Sequence, residues 1–165
     1  MKTLAHILFL AGLIILLNAC AGVKIQGIDV GRIISAGSKA MDLDDKTEAE
    51  EIEIGEEIAQ TLMSQAPLAD DKTVQAYVNR VGYWLVQHSP RQNLPWHFVV
   101  VNNPSANAFA APGGYIFITT GMLQHVHNEA ELAGVLAHEI AHVVERHHLN
   151  AVSYTHLTLP TKRIV

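Results

Sequence analysis

The stretch Asn128-Glu129-Ala130-Glu131-Leu132-Ala133-Gly134-Val135-Leu136-Ala137-His138-Glu139-Ile140-Ala141-His142-Val143-Val144 carries apolar residues at the spacing of an amphipathic helix. Asn128 is a good N-cap with Glu131 three residues later, so the helix is expected to open there in capping-box style and to run through about residue 148. At about 100° per residue, Leu132, Ala133, Leu136, Ala137, Ile140, Val143 and Val144 fall on one side, and Glu131, Gly134, His138, His142 and Glu145 on the other. The polar side holds His138-Glu139-Ile140-Ala141-His142. Side chains four apart stack on a helix, so two imidazoles in this pattern suit one Zn²⁺. Glu139, about 100° away from His138, reaches a water at the metal without being a ligand.

Ten His and ten Glu among 165 residues produce this pattern by chance roughly 0.04 times. The alternative is two solvated surface histidines. Zinc needs a third protein ligand, and His148 stands ten residues after His138, where a metzincin pattern has its third histidine. That pattern needs Gly at position 145, and Glu145 stands there. A helix continuing through Glu145 carries His147 and His148 about 5 Å or more past His142, so they are read as helix-end residues beside the last carbonyls. Glu145 would bind only after distortion.

Outward from this helix, Tyr115-Ile116-Phe117-Ile118-Thr119 alternates between two faces, with Ile116 and Ile118 on one of them. Residues 96–101 read as a strand from their β-branched and aromatic content, and 106–111 form a further run before Pro112-Gly113-Gly114. A second helix is expected over 70–88, with Val74, Tyr77, Val78, Val81 and Leu85 on its core stripe. Nine of the sixteen acidic residues lie in 42–57, read as the solvated face and N-terminal turns of a helix buried through Ile52, Ile54, Ile58, Ala59 and Leu62. Helices mixed with a few short strands indicate an α+β fold. At 49% hydrophobic residues and a net charge of -5 the composition is that of a globular chain and argues against a basic nucleic-acid binder.

At the N-terminus, residues 7–17 are uncharged and almost wholly apolar. Eleven residues are too few for a membrane span, which takes about 18 or more, but they suit a secretory signal. Leu17-Asn18-Ala19-Cys20 resembles the lipobox of bacterial lipoproteins, in which cleavage precedes a lipid-carrying cysteine. A free buried thiol is the alternative for Cys20. No Asp follows Cys20, which by the rule for Gram-negative lipoproteins implies the outer membrane.

Residues 107–123, which include Asn107-Ala108-Phe109-Ala110-Ala111-Pro112-Gly113-Gly114-Tyr115, together with residues 128–139, resemble the HtpX-like and Oma-like zinc metallopeptidases. Gly55 with Glu57, and Tyr77-Val78-Asn79-Arg80-Val81-Gly82, match the same family, and the lipobox resembles its periplasmic lipoprotein branch. The resemblance implies an α+β, zincin-like metallopeptidase fold, with helices packed on a small mixed β-sheet and an active-site helix carrying H-E-x-x-H. It implies a zinc-dependent metalloendopeptidase with one Zn²⁺ per domain, metal ligands His138 and His142, and Glu139 as catalytic base. Polypeptide substrates and a role in cell-envelope protein quality control follow from it. It places a peptide along Gly113, Gly114, Tyr115 and Ile116, on a strand expected to form the exposed edge above the metal.

In this gluzincin family a glutamate on a later helix is the third ligand. The seventeen residues after His148 contain no Asp or Glu, so that ligand is expected to be absent from this chain, making it an inactive fragment. The expected organisation is a signal peptide at 1–19, a tether at 20–41, an incomplete metallopeptidase domain at 42–151 and a non-native tail at 152–165. The location implied is the periplasmic face of the outer membrane, anchored through lipid at Cys20. The rival function is a non-catalytic envelope lipoprotein that binds unfolded outer-membrane proteins. Replacing Cys20 with Ser is expected to release the protein from the membrane fraction, and unchanged fractionation would remove the lipoprotein reading.

Overall fold

Thr47 closes a capping box, its hydroxyl accepting from the Glu50 N–H while the Glu50 carboxylate accepts from the Thr47 N–H at 2.9 Å. Helix α1 (Glu48–Gln65) starts from it and buries Glu51, Ile54, Gly55, Ile58, Ala59 and Leu62 along one stripe. Asp71 caps α2 (Lys72–Val86) through the Thr73 and Val74 N–H groups. The computed structural model describes residues 24–25, 28–29 and 46–146. The expected signal peptide, Cys20 and the tail at 152–165 therefore lie outside the described residues. Within the expected tether, β1 (Lys24–Ile25) and β2 (Ile28–Asp29) pair antiparallel.

Three longer strands follow: β3 (His97–Val101), β4 (Ala108–Ala111) and β5 (Tyr115–Thr119). They form a mixed sheet in the order β3-β5-β4, with β3 parallel and β4 antiparallel to β5. A short helix α3 (Thr120–His125) leads to α4 (Glu129–Val144), capped by Asn128 through the Glu131 N–H at 3.0 Å. The α+β expectation and the small mixed sheet are what the chain forms.

The period of two along the strands sorts the core into two layers. On one face Phe98, Val100, Ala110, Ile116 and Ile118 pack against Val78 and Val81 of α2 and Leu132, Leu136, Ile140 and Val143 of α4. On the other, Phe109, Ala111 and Phe117 pack against Ile54, Ile58, Ala59 and Leu62 of α1. Phe109 and Phe117 stack across the antiparallel pair at 4.9 Å, reinforcing its register. The sheet is thus sandwiched between α1 and the α2–α4 layer.

The two outer strands end differently. Beside β3, the Gln75 side chain takes the place of a neighbouring strand, its Nε2 donating to the Phe98 carbonyl at 2.7 Å and its Oε1 accepting from the Val100 N–H at 2.9 Å. The Ala69 N–H donates to the Val100 carbonyl, and the Asn102 N–H to that of Pro67. β4 has no strand partner on its outer side among the described residues. Because β5 lies in the middle, it is not the exposed edge expected from the sequence. Its alternation was legible, but which strand takes the centre depends on pairing partners far apart in the chain.

Replacing Gln75 with Ala is expected to lower stability by about 1–2 kcal/mol, because two backbone groups lose their partner together. Urea unfolding should show a lower midpoint with unchanged slope.

Candidate functional site

Helix α4 presents two imidazoles to one another: the Nε2 atoms of His138 and His142 lie 3.2 Å apart, with the rings edge to face. Two nitrogens about 2.05 Å from one tetrahedral ion would be about 3.3 Å apart. The pair therefore fits two corners of a zinc site. Both rings are half-buried, accessible to an ion yet held by the helix. Among the described residues, no group of three or more His, Cys, Asp or Glu side chains is arranged to hold a metal, so a third corner is not found there.

Glu139 is more deeply buried than the two imidazoles. It stands seven residues after Leu132 and three after Leu136, on the stripe that also buries Ile140 and Val143, and it is only 6% exposed. Burial pushes its carboxyl up from the usual 4.5 to about 7, opposed by a hydrogen bond from the Ala110 backbone. A positive charge at the imidazole pair would also oppose that shift by favouring the carboxylate. In the β4–β5 pairing, the Thr119 N–H bonds to the Asn107 carbonyl, so by alternation Ala108 and Ala110 direct their backbone groups away from β5. Glu139 thus sits at the outer side of β4. One turn of helix places the histidines in reach of an ion and the carboxylate in the core.

The C-terminal end of α4 differs from expectation. It stops at Val144, with Glu145 as C-cap and Arg146 at φ 51°, in the left-handed region. The helix therefore breaks at Glu145 and Arg146 and does not continue as expected through about residue 148. His147 and His148 lie outside the described residues. Glu145 is exposed at the cap, and Ala137, expected in the core, is exposed as well. The carbonyl of Val143 is met by Arg91, whose Nη1 donates to it at 3.2 Å.

Arg91 opens a network that sequence reasoning missed. Its guanidinium binds Glu51 with both nitrogens, at 3.0 and 2.9 Å, and Glu48 at 3.1 Å. The fully buried Glu51 carboxylate also accepts from Arg146 Nε at 3.0 Å and from the Gly113 N–H at 3.3 Å. Desolvation raises the pKa of Glu51, but the hydrogen bonds and charge of Arg91, helped by Gly113 and Arg146, outweigh it and hold the carboxyl below its ordinary value. The solvated face expected of the acidic segment is found at Glu53, Glu56 and Glu57 but not at Glu51. The signal was available, since Glu51 precedes Ile54, Gly55 and Ile58 by three, four and seven residues.

Gly113 and Gly114, expected to line the substrate, are buried in the turn between β4 and β5 with φ of 72° and 96°. A Cβ on Gly113 would lie 2.9 Å from the Ile52 Cα, so this glycine serves the close approach of the turn to α1. Ile116 is fully buried between β3 and β4. Tyr115 is half-buried and stacks on His97 at 4.5 Å. Gly113 and Gly114 thus form the turn, and Tyr115 and Ile116 lie in the central strand, so these four residues do not form an open edge. Cys20 is outside the described residues.

Comparison with known proteins bears on the same region. The family model described as peptidase family M48 matches residues 72–162. Over 98 residues, 59% of this chain and 20% of the relative, the sequence is 38% identical to the beta-barrel assembly-enhancing protease of Escherichia coli (strain K12). It is 40% identical over 79 residues to mitochondrial metalloendopeptidase OMA1 of Schizosaccharomyces pombe, covering 48% of this chain and 23% of that one. The matched part of this chain thus spans only about a fifth of the length of these curated relatives.

The buried Glu139 carboxyl has a testable consequence in the metal-stripped protein. Between about 4.5 and 7 the folded state holds its proton more tightly than the unfolded chain, so this group lowers stability as pH rises through that window. Glu139→Gln keeps an acceptor for the Ala110 N–H and removes the charge, and is expected to raise stability above pH 7 by up to about 3 kcal/mol. Superimposable curves of unfolding free energy against pH for the two chelator-treated proteins would contradict this.

Proposed function

This chain belongs to peptidase family M48, and from that premise we propose that it is a zinc-dependent metalloendopeptidase domain hydrolysing peptide bonds. The observation that carries the reading is the convergence of the His138 and His142 Nε2 atoms at 3.2 Å on a helix whose intervening Glu139 is buried. His138 and His142 hold the ion, and the third of the three protein ligands that a catalytic zinc needs comes from outside residues 46–146. The chemistry that a bound Zn²⁺ supplies is Lewis-acid polarisation of a water and of the scissile carbonyl.

Glu139 accepts the proton of the attacking water and returns it to the leaving amine. Its place at the outer side of β4, on the turn of α4 that also carries His138 and His142, supports that role. The substrate is a polypeptide in extended form, pairing as an added strand along the outer side of β4, where Ala108 directs its backbone groups. Two features support that choice: β5 is central, and β3 is covered by Gln75 and by residues 67–69. This strand replaces the Gly113–Ile116 edge expected from the sequence.

The site belongs, on this reading, to a protein of the cell envelope engaged in protein quality control. Residues 1–19 act as a lipoprotein signal peptide, and lipid on Cys20 holds the domain at the periplasmic face of the outer membrane. The lipobox-like Leu17-Asn18-Ala19-Cys20 supports this location.

In a full-length version of the protein, Glu139→Gln is expected to cut casein hydrolysis by a factor of about 10² to 10⁴ while zinc stays bound. His142→Ala is expected to lose both metal and activity. Casein hydrolysis retained by the Glu139 variant would refute its role as base.

A further inference from the structure

We infer that Arg91 and Glu51 act as a positioning pair for the proposed metal site, fixing the end of the ligand-bearing helix relative to the strand that holds the base. The inference rests on the reading of His138 and His142 as metal ligands. Arg91 donates to the Val143 carbonyl, one residue beyond His142, with the same Nη1 that donates to Glu51. Glu51 in turn accepts from the Gly113 N–H, in the turn that ends β4. β4 is the strand whose Ala110 N–H bonds to Glu139. One path of hydrogen bonds therefore links the backbone beside His142 to the strand beside Glu139, through two side chains from the first helix and the loop after the second.

The chemistry of the pair suits positioning better than attachment alone. A guanidinium is planar and forked, so it meets the two Glu51 oxygens and a helix carbonyl in fixed directions. Glu48 and Arg146 extend the network at its more exposed side. The Glu51 charge is fully buried, so its donors cannot be exchanged for water without displacing the surrounding layers. Helix ends fray readily; here the Arg146 N–H meets the Val143 carbonyl at 3.2 Å, and Arg91 adds a side-chain donor to the same carbonyl. Fraying here would begin next to His142.

A lysine at position 91 separates positioning from charge. It keeps a cation for Glu51 but, as a single ammonium, cannot span Glu51, Glu48 and the Val143 carbonyl together. Zinc alone is titrated into the 165-residue chain, its Arg91→Lys and Arg91→Met variants and a His138→Ala reference, with the folded fraction of each measured by circular dichroism. Zinc affinity per folded molecule is expected to fall about 10-fold or more in Arg91→Met. Arg91→Lys is expected to stay folded and to recover only part of that loss. Wild-type zinc affinity in Arg91→Lys or Arg91→Met, with only thermal stability reduced, would reduce the pair to a structural brace and overturn the inference. Unfolding of both variants would overturn it too, by making Arg91 a requirement for folding. Equal zinc affinity in the parent chain and His138→Ala would instead dismiss the metal-ligand reading on which the inference stands.

Discussion

The buried negative charge of Glu51 is the constraint around which the rest is arranged. An ionised carboxylate removed from water is tolerated only when charges and hydrogen bonds replace its hydration. Here the replacements come from Arg91, Arg146 and the Gly113 N–H, three separate parts of the chain. Meeting that requirement brings together the first turn of α1, the loop after α2, the turn between β4 and β5 and the end of α4. Gly113 completes the arrangement because its left-handed conformation and lack of a side chain let the turn lie against α1.

The same helical repeat that aligns the two imidazoles gives the carboxylate between them a more buried setting. His138 and His142 are four residues apart and converge at their Nε2 atoms, whereas Glu139 falls on the stripe of Leu132, Leu136 and Val143. Burial then acts on chemically different groups in different ways. The half-buried imidazoles keep access to an ion; the buried carboxylate becomes harder to ionise and is anchored by one backbone N–H. Adjacent residues of one regular helix thus meet different surroundings with no change in helix geometry.

The sheet adds direction to this site. Gln75 covers β3 with an amide that mimics a strand, and β5 is paired on both sides, so the mixed sheet leaves β4 as the strand without a neighbour on its outer side among the described residues. Edge strands are usually blocked against unwanted pairing, and Gln75 does this on the side away from α4. The strand whose outer side has no strand partner among the described residues is the one that touches Glu139.

Local rules were enough for the longer elements and for the spacing of the two imidazoles. The 3.6-residue period of α4, its Asn128 cap, the alternation in residues 115–119 and the spacing of His138 and His142 are set by neighbouring residues, and the structure keeps them. The placement of Glu139 in the core, and of Glu51 beside Ile54 and Ile58, was implicit in the same period but masked by their polarity. The sequence by itself thus determined helices α1, α2 and α4, strands β3 and β5, the His138-Glu139-Ile140-Ala141-His142 spacing along α4 and the family likeness. The tertiary structure alone decided that β5 is central, that Gly113 and Gly114 face α1, and that α4 ends at Val144 against Arg91. Each of those depends on partners dozens of residues away, whose pairing follows from shared burial and charge compensation and leaves no periodic mark in the chain.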